Sequence, residues 1–282
     1  MDFAMKDKVV VITGATSGIG EVAADHLAQR GARIVFVARD RTRGEAMRKH
    51  LRAVAGHTDH TVHYADLSLL ADQKRVGHEI ADSEPQIDVL INNAGAMFTT
   101  RQETADGLEK TFALNHMSYF TVTNMLLDRL KATTGARIVS TASTAHRFGK
   151  LDLDDLQSKK SYSTFGVYGV SKLCNILFTR ELAKRLAGTG VTANCLHPGG
   201  VNTRFGDNNS GLLSVVFKLG KRFMITPEQG AQTIIYLASS PDVAGKTGGY
   251  YDKCKLAGTS KAAQSDADAK RLWDVSAKIA GF

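Results

Sequence analysis

Six short runs dominated by Val, Ile and other strand-forming residues recur along the chain, each followed by a longer segment with helical spacing of apolar positions. They lie at 8–13 (KVVVIT), 33–37 (RIVFV), 61–65 (TVHYA), 87–91 (IDVLI), 136–141 (ARIVST) and 191–196 (VTANCL), with a weaker seventh at 246–250. Most are apolar throughout instead of alternating, the pattern of strands buried on both faces of a parallel sheet. Between them, 19–30, 41–55, 72–83 and 116–131 read as helices. Strand–helix alternation of this kind demands βαβ units and helices on both sheet faces, so an α/β doubly wound parallel sheet is expected. No Pro- or Gly/Ser-rich linker, low-complexity tract or internal repeat divides the 282 residues, and one domain over 1–282 is expected.

Charge narrows the partners. The net charge is +8, yet 36 basic residues are interleaved with 28 acidic ones and no long basic run exists, which argues against nucleic acid. Cys174, Cys195 and Cys254 have no C-x-x-C spacing and read as reduced thiols. No stretch reaches the 18 or so apolar residues of a membrane span. A soluble, cytoplasmic protein with no metal site is the expectation.

The first strand runs into Thr13-Gly-Ala-Thr-Ser-Gly-Ile-Gly20 and then directly into a helix. Glycines at a strand-to-helix turn let the backbone approach a pyrophosphate, and the helix N-terminus supplies free N–H groups with a favourable dipole. Gly14, Thr16, Ser17, Gly18 and Ile19 are therefore candidate dinucleotide contacts. The second strand ends at Val37-Ala38-Arg39-Asp40. An acidic residue there would take the ribose hydroxyls of NAD, whereas the Arg39 guanidinium suits the 2′-phosphate of NADP(H), with Arg43 a weaker helper.

Tyr168 and Lys172 stand i and i+4 on a helix and share a face. A free tyrosine has a pKa near 10, and a neighbouring ammonium is expected to lower it toward the range of a proton shuttle. Together TGATSGIG at 13–20, NNAG at 92–95, Asn115, Ser143, YGVSK at 168–172 and His197-Pro-Gly199 resemble the short-chain dehydrogenases/reductases, in order and spacing over about 250 residues. The resemblance implies a Rossmann-type single domain and carbonyl/alcohol interconversion by hydride transfer. Ser140, Thr141, Ser143 and Thr144 all sit in the stretch STAST, and the resemblance selects Ser143 as the group that hydrogen-bonds the reacting oxygen. It also implies that Lys172 holds the nicotinamide ribose and that Asn115 supports a water-linked proton path. Asp66 and Leu67 would meet the adenine edge, and Asn93, Ala94 and Gly95 the adenosine ribose. Pro198, Gly199, Val201 and Thr203 would wrap the nicotinamide.

The second half of the chain is similar to the retinol dehydrogenase branch of that family, which implies NADP and a lipophilic aldehyde or alcohol. Two departures are expected to matter: the membrane-anchoring N-terminal helix of many animal members is missing, and Gly169-Val170 stands where that branch often has Cys-His. Residues 204–225, with a polar start and an apolar body, form a candidate substrate lid, whose Lys218, Lys221 and Arg222 would suit shallow contact with a membrane surface. His146 and Phe148 are candidates to reach the same pocket. Self-association as a homodimer or homotetramer, through the helix carrying Tyr168, is a family-level expectation. The competing reading is an NADPH-binding regulator without turnover, which would need only the glycine turn and Arg39.

Overall fold

The computed structural model describes residues 5–55, 59–200 and 225–282. Its centre is an eight-stranded sheet in the order β3-β2-β1-β4-β5-β6-β7-β8. The strands are β1 Val9–Thr13, β2 Arg33–Ala38, β3 Thr61–Tyr64, β4 Val89–Asn92, β5 Arg137–Thr141, β6 Thr192–His197, β7 Tyr250–Asp252 and β8 Lys255–Leu256. The first seven pair in parallel, and β8 turns back antiparallel on β7. Chain order reverses between β1 and β4, which opens a crevice at their carboxyl ends.

Uninterrupted apolar strands are explained by two separate cores. Val11, Val35, Leu90 and Ile138 face one layer, while Val10, Ile12, Ile34, Phe36 and Ile91 face the other. Successive side chains point to opposite faces, so a strand with no polar face must be covered twice. Helices α1 Gly18–Gln29, α2 Arg41–Ala55 and α7 Pro227–Ser239 cover the second core. The first lies under α3 Leu70–Ser83, α5 Ser118–Ala132, α6 Thr164–Arg185 and α8 Asp266–Ala280.

Two departures from the sequence reading bear on the site. The helix expected at 116–131 starts earlier, with α4 Lys110–Phe112 and a π-helical turn, Ala113–Met117, before α5. The last parallel strand is Tyr250–Asp252 instead of 246–250, because Gly248 adopts a left-handed φ of 75° that strand geometry excludes.

Helix α6 is apolar or buried almost all round, and α8 explains why. Trp273 of α8 stacks on Phe178 of α6 (5.8 Å, 14°) and meets Phe120 of α5 edge-on at 4.9 Å. Arg180 and Lys184 pair with Asp266 at the start of α8. The chain's own C-terminal helix thus packs on the second half of the Tyr168 helix. The three cysteines are unpaired. No helix among the described residues is long and apolar enough to cross a membrane.

Candidate active site

Six of the expected site segments lie at or just beyond a strand's carboxyl end, while Asn115, Tyr168 and Lys172 come from helices. Gly14 follows β1, Arg39 β2, Asp66 β3, Asn93–Gly95 β4, Ser143 β5 and Pro198–Gly199 β6. Strand order places the β1 and β4 segments side by side, so residues 80 positions apart meet in one turn.

That meeting shapes the glycine cradle. Gly14 and Gly18 have φ of 72° and 60°, the left-handed region closed to most side chains. A Cβ on Gly14 would lie 2.8 Å from Ala94 Cα. A Cβ on Gly20 would overlap the Gly14 carbonyl oxygen and Asn93 Nδ2. The Asn93 amide donates to the Thr13 and Gly14 carbonyls at 3.3 and 3.2 Å, while Thr13 Oγ1 accepts from the backbone N–H groups of Asn93 and Ala94. Ser17 occupies the N-cap of α1, but its side chain does not cap, so the first-turn amides of Gly18, Ile19 and Gly20 stay available to an anion. Thr16 lies in the same turn. Sequence reasoning missed Thr13 and Gly20 as shapers of this cradle, although both belong to the TGATSGIG run.

Arg39 is exposed and forms no hydrogen bond or ion pair with a described residue, and the same holds for the Arg43 guanidinium. Nearby Arg41 lies over the Tyr64 ring at 4.5 Å. The Asp66 carboxylate accepts from both the amide and the hydroxyl of Ser68, so it also stabilises its own turn. Leu67 is buried, and its carbonyl accepts from Gln73 Nε2 at 2.9 Å.

Tyr168, Ser171, Lys172 and Asn175 fall at i, i+3, i+4 and i+7 of α6 and share one face toward β5. Lys172 is only 2% exposed. Its Nζ donates to the Thr141 carbonyl at 3.0 Å, which also accepts from Asn175 Nδ2 at 3.3 Å. The rings of Tyr168 and Tyr119 lie 5.6 and 5.7 Å from that nitrogen. Tyr119 is fully buried, and its Oη has no hydrogen-bond partner among the described residues. Asn115, presented by the π-helical turn, acts as a strand mimic. Its Oδ1 accepts from the Ala96 amide and its Nδ2 donates to the Ala96 carbonyl, both at 2.9 Å, with a further bond to Ser171 Oγ at 3.1 Å. A single-turn π-bulge re-aims one side chain without ending the helix, and here it ties the segment after β4 to α6. A Cβ on Gly95 would lie 3.2 Å from Asn115 Oδ1 and 3.6 Å from Lys172 Nζ, which marks how closely that segment approaches the lysine.

Burial works against the expected shift: it pushes the Tyr168 phenol up to about 12, and Ser143 draws it down only in part. Burial also pulls Lys172 down to about 7. Desolvation disfavours the charged form of each group, which favours a neutral phenol and weakens the hold of the lysine on its proton.

Ser143 lies just past β5, as the N-cap of a 3-10 turn, Thr144–Arg147, and its Oγ accepts from the Ala145 amide at 3.2 Å. Of the four hydroxyl residues in STAST, it is the one whose side chain acts on the Tyr168 phenol, drawing it down. The Thr141 hydroxyl instead donates to Asn93 Oδ1 at 3.2 Å. His146 is 1% exposed and bonded to backbone atoms on both ring nitrogens, so it does not line an open pocket, whereas Phe148 is 78% exposed. Val201, Thr203 and all of the candidate lid except Ile225 lie outside the described residues. Among the described residues no group of three or more His, Cys, Asp or Glu side chains has a metal-binding arrangement.

Comparison with known proteins agrees with this geometry. The family model described as "short chain dehydrogenase" matches residues 8–211. Mouse "Retinol dehydrogenase 12" is 42% identical over 275 residues, covering 98% of this chain and 87% of that protein. Among solved structures, a putative uncharacterized protein from Mycobacterium paratuberculosis superposes with a TM-score of 0.79 at 32% identity, covering 99% of this chain and 95% of the other. The "RhlG/NADP active-site complex" of Pseudomonas aeruginosa superposes with a TM-score of 0.69 at 26% identity, covering 88% and 95%.

Proposed function

The chain belongs to the short-chain dehydrogenase family, and from that premise we propose that it interconverts a lipophilic aldehyde or ketone and its alcohol using NADP(H), with Tyr168 as acid and base. The observation that carries this reading is the convergence of Ser143, which draws the Tyr168 phenol down, with Tyr168 and the buried Lys172 at the carboxyl edge of the sheet.

The residues fit the cofactor. Gly14 and Gly20 form a cradle that a Cβ would fill, and the uncapped start of α1 offers its amides to a pyrophosphate. Arg39, free of described partners, suits a 2′-phosphate, and NADP in the RhlG complex supports the same choice. Asn93, Ala94 and Gly95 would line the adenosine ribose, Asp66 and Leu67 the adenine, and Pro198, Gly199, Val201 and Thr203 the nicotinamide. When bound, the dinucleotide supplies or accepts the hydride; the protein orients and polarises.

Tyr168 rests as a neutral phenol, the form a proton donor needs. As it hands its proton to the substrate oxygen, a phenolate develops beside Lys172, and that negative charge favours the ammonium form of the lysine. Lys172, at about 7, can take up or release a proton near neutrality and so restores Tyr168 between turnovers. Ser143 Oγ, which already acts on the Tyr168 phenol, would share the same substrate oxygen and stabilise charge developing there. Asn115 holds Ser171 and Ala96 around the lysine, consistent with its place on a proton path. Similarity to retinol dehydrogenase 12 supports a lipophilic substrate, and three unpaired thiols support the cytoplasm as its location.

The test follows NADPH and NADH consumption against a panel of aliphatic, aromatic and retinoid carbonyl compounds. NADPH-dependent turnover, lowered by Tyr168→Phe on the order of 10²–10⁴-fold with NADPH affinity retained, is the expected result. NADPH binding without turnover on any panel member would favour a regulator, and an NADH preference would overturn the role of Arg39.

A further inference from the structure

The 3-10 turn after β5 is tied down more heavily than its exposure requires. The Ser143 carbonyl accepts twice from His146: from its amide at 3.1 Å and from ring Nδ1 at 2.6 Å. Across the ring, Nε2 faces the backbone amide of Ser260 at 3.2 Å. A carbonyl can only accept and a backbone N–H can only donate, so both contacts are satisfied only by the neutral tautomer with its proton on Nδ1. The ring is closed in by Tyr250, edge-on at 5.3 Å. On the other flank the turn lies directly on α6. A Cβ on Gly169 would come within 2.8 Å of the Ala145 carbonyl, and one on Gly149 within 2.6 Å of the Gly169 carbonyl. The turn that carries Ser143 is therefore held between the residue that follows Tyr168 and a C-terminal segment more than 100 positions away.

We propose that His146 is a positioning residue for the reaction: through its Nδ1–H bond to the Ser143 carbonyl, braced by Ser260, it sets the distance between Ser143 Oγ and Tyr168. The inference rests on the function proposed above and deepens it. Nothing in the geometry brings His146 to substrate, so its effect passes entirely through Ser143. A hydroxyl that must meet both a phenol and a reacting oxygen tolerates little displacement, and an error of about 1 Å in such a group slows turnover on the order of 100-fold.

Three variants separate this role from packing. His146→Asn keeps a donor near the Nδ1 position, His146→Gln places its amide nearer Nε2, and His146→Phe keeps the ring alone. The expected order of kcat is wild type, then Asn, with Gln and Phe lower by about 10- to 100-fold, while NADPH affinity is unchanged in all three. In a Ser143→Ala background the same substitutions should leave the residual kcat within about twofold, because the group they position is gone. A kcat that follows thermal stability regardless of which nitrogen is replaced, or a full further loss on top of Ser143→Ala, overturns the proposal.

The tautomer gives a readout that needs no turnover. Long-range ¹H–¹⁵N NMR on the wild-type protein should show His146 protonated on Nδ1 alone. An Nε2–H tautomer refutes the inference whatever the enzyme assay returns. Wild-type inactivity on every carbonyl tested would instead count against the proposed function.

Discussion

Replacing the buried lysine by an apolar isostere should make this protein more stable while destroying its chemistry. Lys172 is 2% exposed, and burial takes it from 10.5 to about 7. That difference corresponds to about 4–5 kcal/mol by which folding disfavours the ammonium. Lys172→Met keeps the length of the side chain, removes the charge and forfeits the 3.0 Å hydrogen bond to the Thr141 carbonyl, worth about 1 kcal/mol. The carbonyl keeps Asn175 as a partner. A gain of about 3 kcal/mol is therefore expected near pH 6.5. The sign of its pH dependence follows from the lowered pKa. Between about 7 and 10.5 the unfolded chain holds a proton that the folded chain has lost, so wild-type stability rises with pH there. The advantage of the variant should shrink to about 1 kcal/mol near pH 9 and vanish toward 10.5. Tyr168, pushed up to about 12, stays neutral throughout and adds no slope below pH 9. Urea denaturation of both proteins without cofactor, at the two pH values, measures the difference. A less stable variant, or an equal gain at both pH values, would show that Lys172 is not held against a desolvation penalty.

Arg39→Ala should raise the dissociation constant for NADPH about 10- to 100-fold and leave that for NADH within about twofold, as read by titration of each; equal losses would mean that the arginine does not meet the 2′-phosphate. Gly20→Ala should weaken dinucleotide binding at least about tenfold, because the new methyl displaces the Gly14 carbonyl and the Asn93 amide from the cradle; unchanged affinity would remove the cradle argument. Trp273→Ala should cost about 3–5 kcal/mol in denaturant unfolding, since it empties the contact with Phe178 and Phe120 beneath α8. A loss under about 1 kcal/mol would instead assign the anchoring of α8 to the Asp266 ion pairs.

Much of the site could be read along the chain because its parts are local. TGATSGIG needs only a strand–turn–helix, Tyr168 and Lys172 only helical spacing, and each survives translation into three dimensions unchanged. Ser143 was one of four hydroxyl residues in STAST, and only the packing of the turn on α6 separates it from Thr141, whose hydroxyl is turned toward Asn93. Thr13, Gly20, Tyr119, Ser171 and Asn175 act through partners in space, so a linear reading had little to single them out, and His146, named as a pocket candidate, instead bonds to backbone on both sides. Asn175 did carry a signal, three positions beyond Lys172 on the same face. The segment 204–225 stays an expectation from sequence, apart from the Ile225 amide, which donates to the Gly200 carbonyl at 2.9 Å.

What the sequence alone determined is the layered architecture, because an apolar strand must be covered on both faces and an amphipathic helix on one. It also determined the inventory of chemical groups and their order along the sheet edge. Only the tertiary structure brought in burial, which pushes the phenol up and the lysine down, against the shift that spacing alone suggested. An i, i+4 pair of Tyr and Lys on a solvated helix would attract, and the ammonium would acidify the phenol. Packed against β5, Lys172 is buried and Tyr168 is largely withdrawn from water, and that loss of water is set by everything packed around them, which no spacing between two residues encodes.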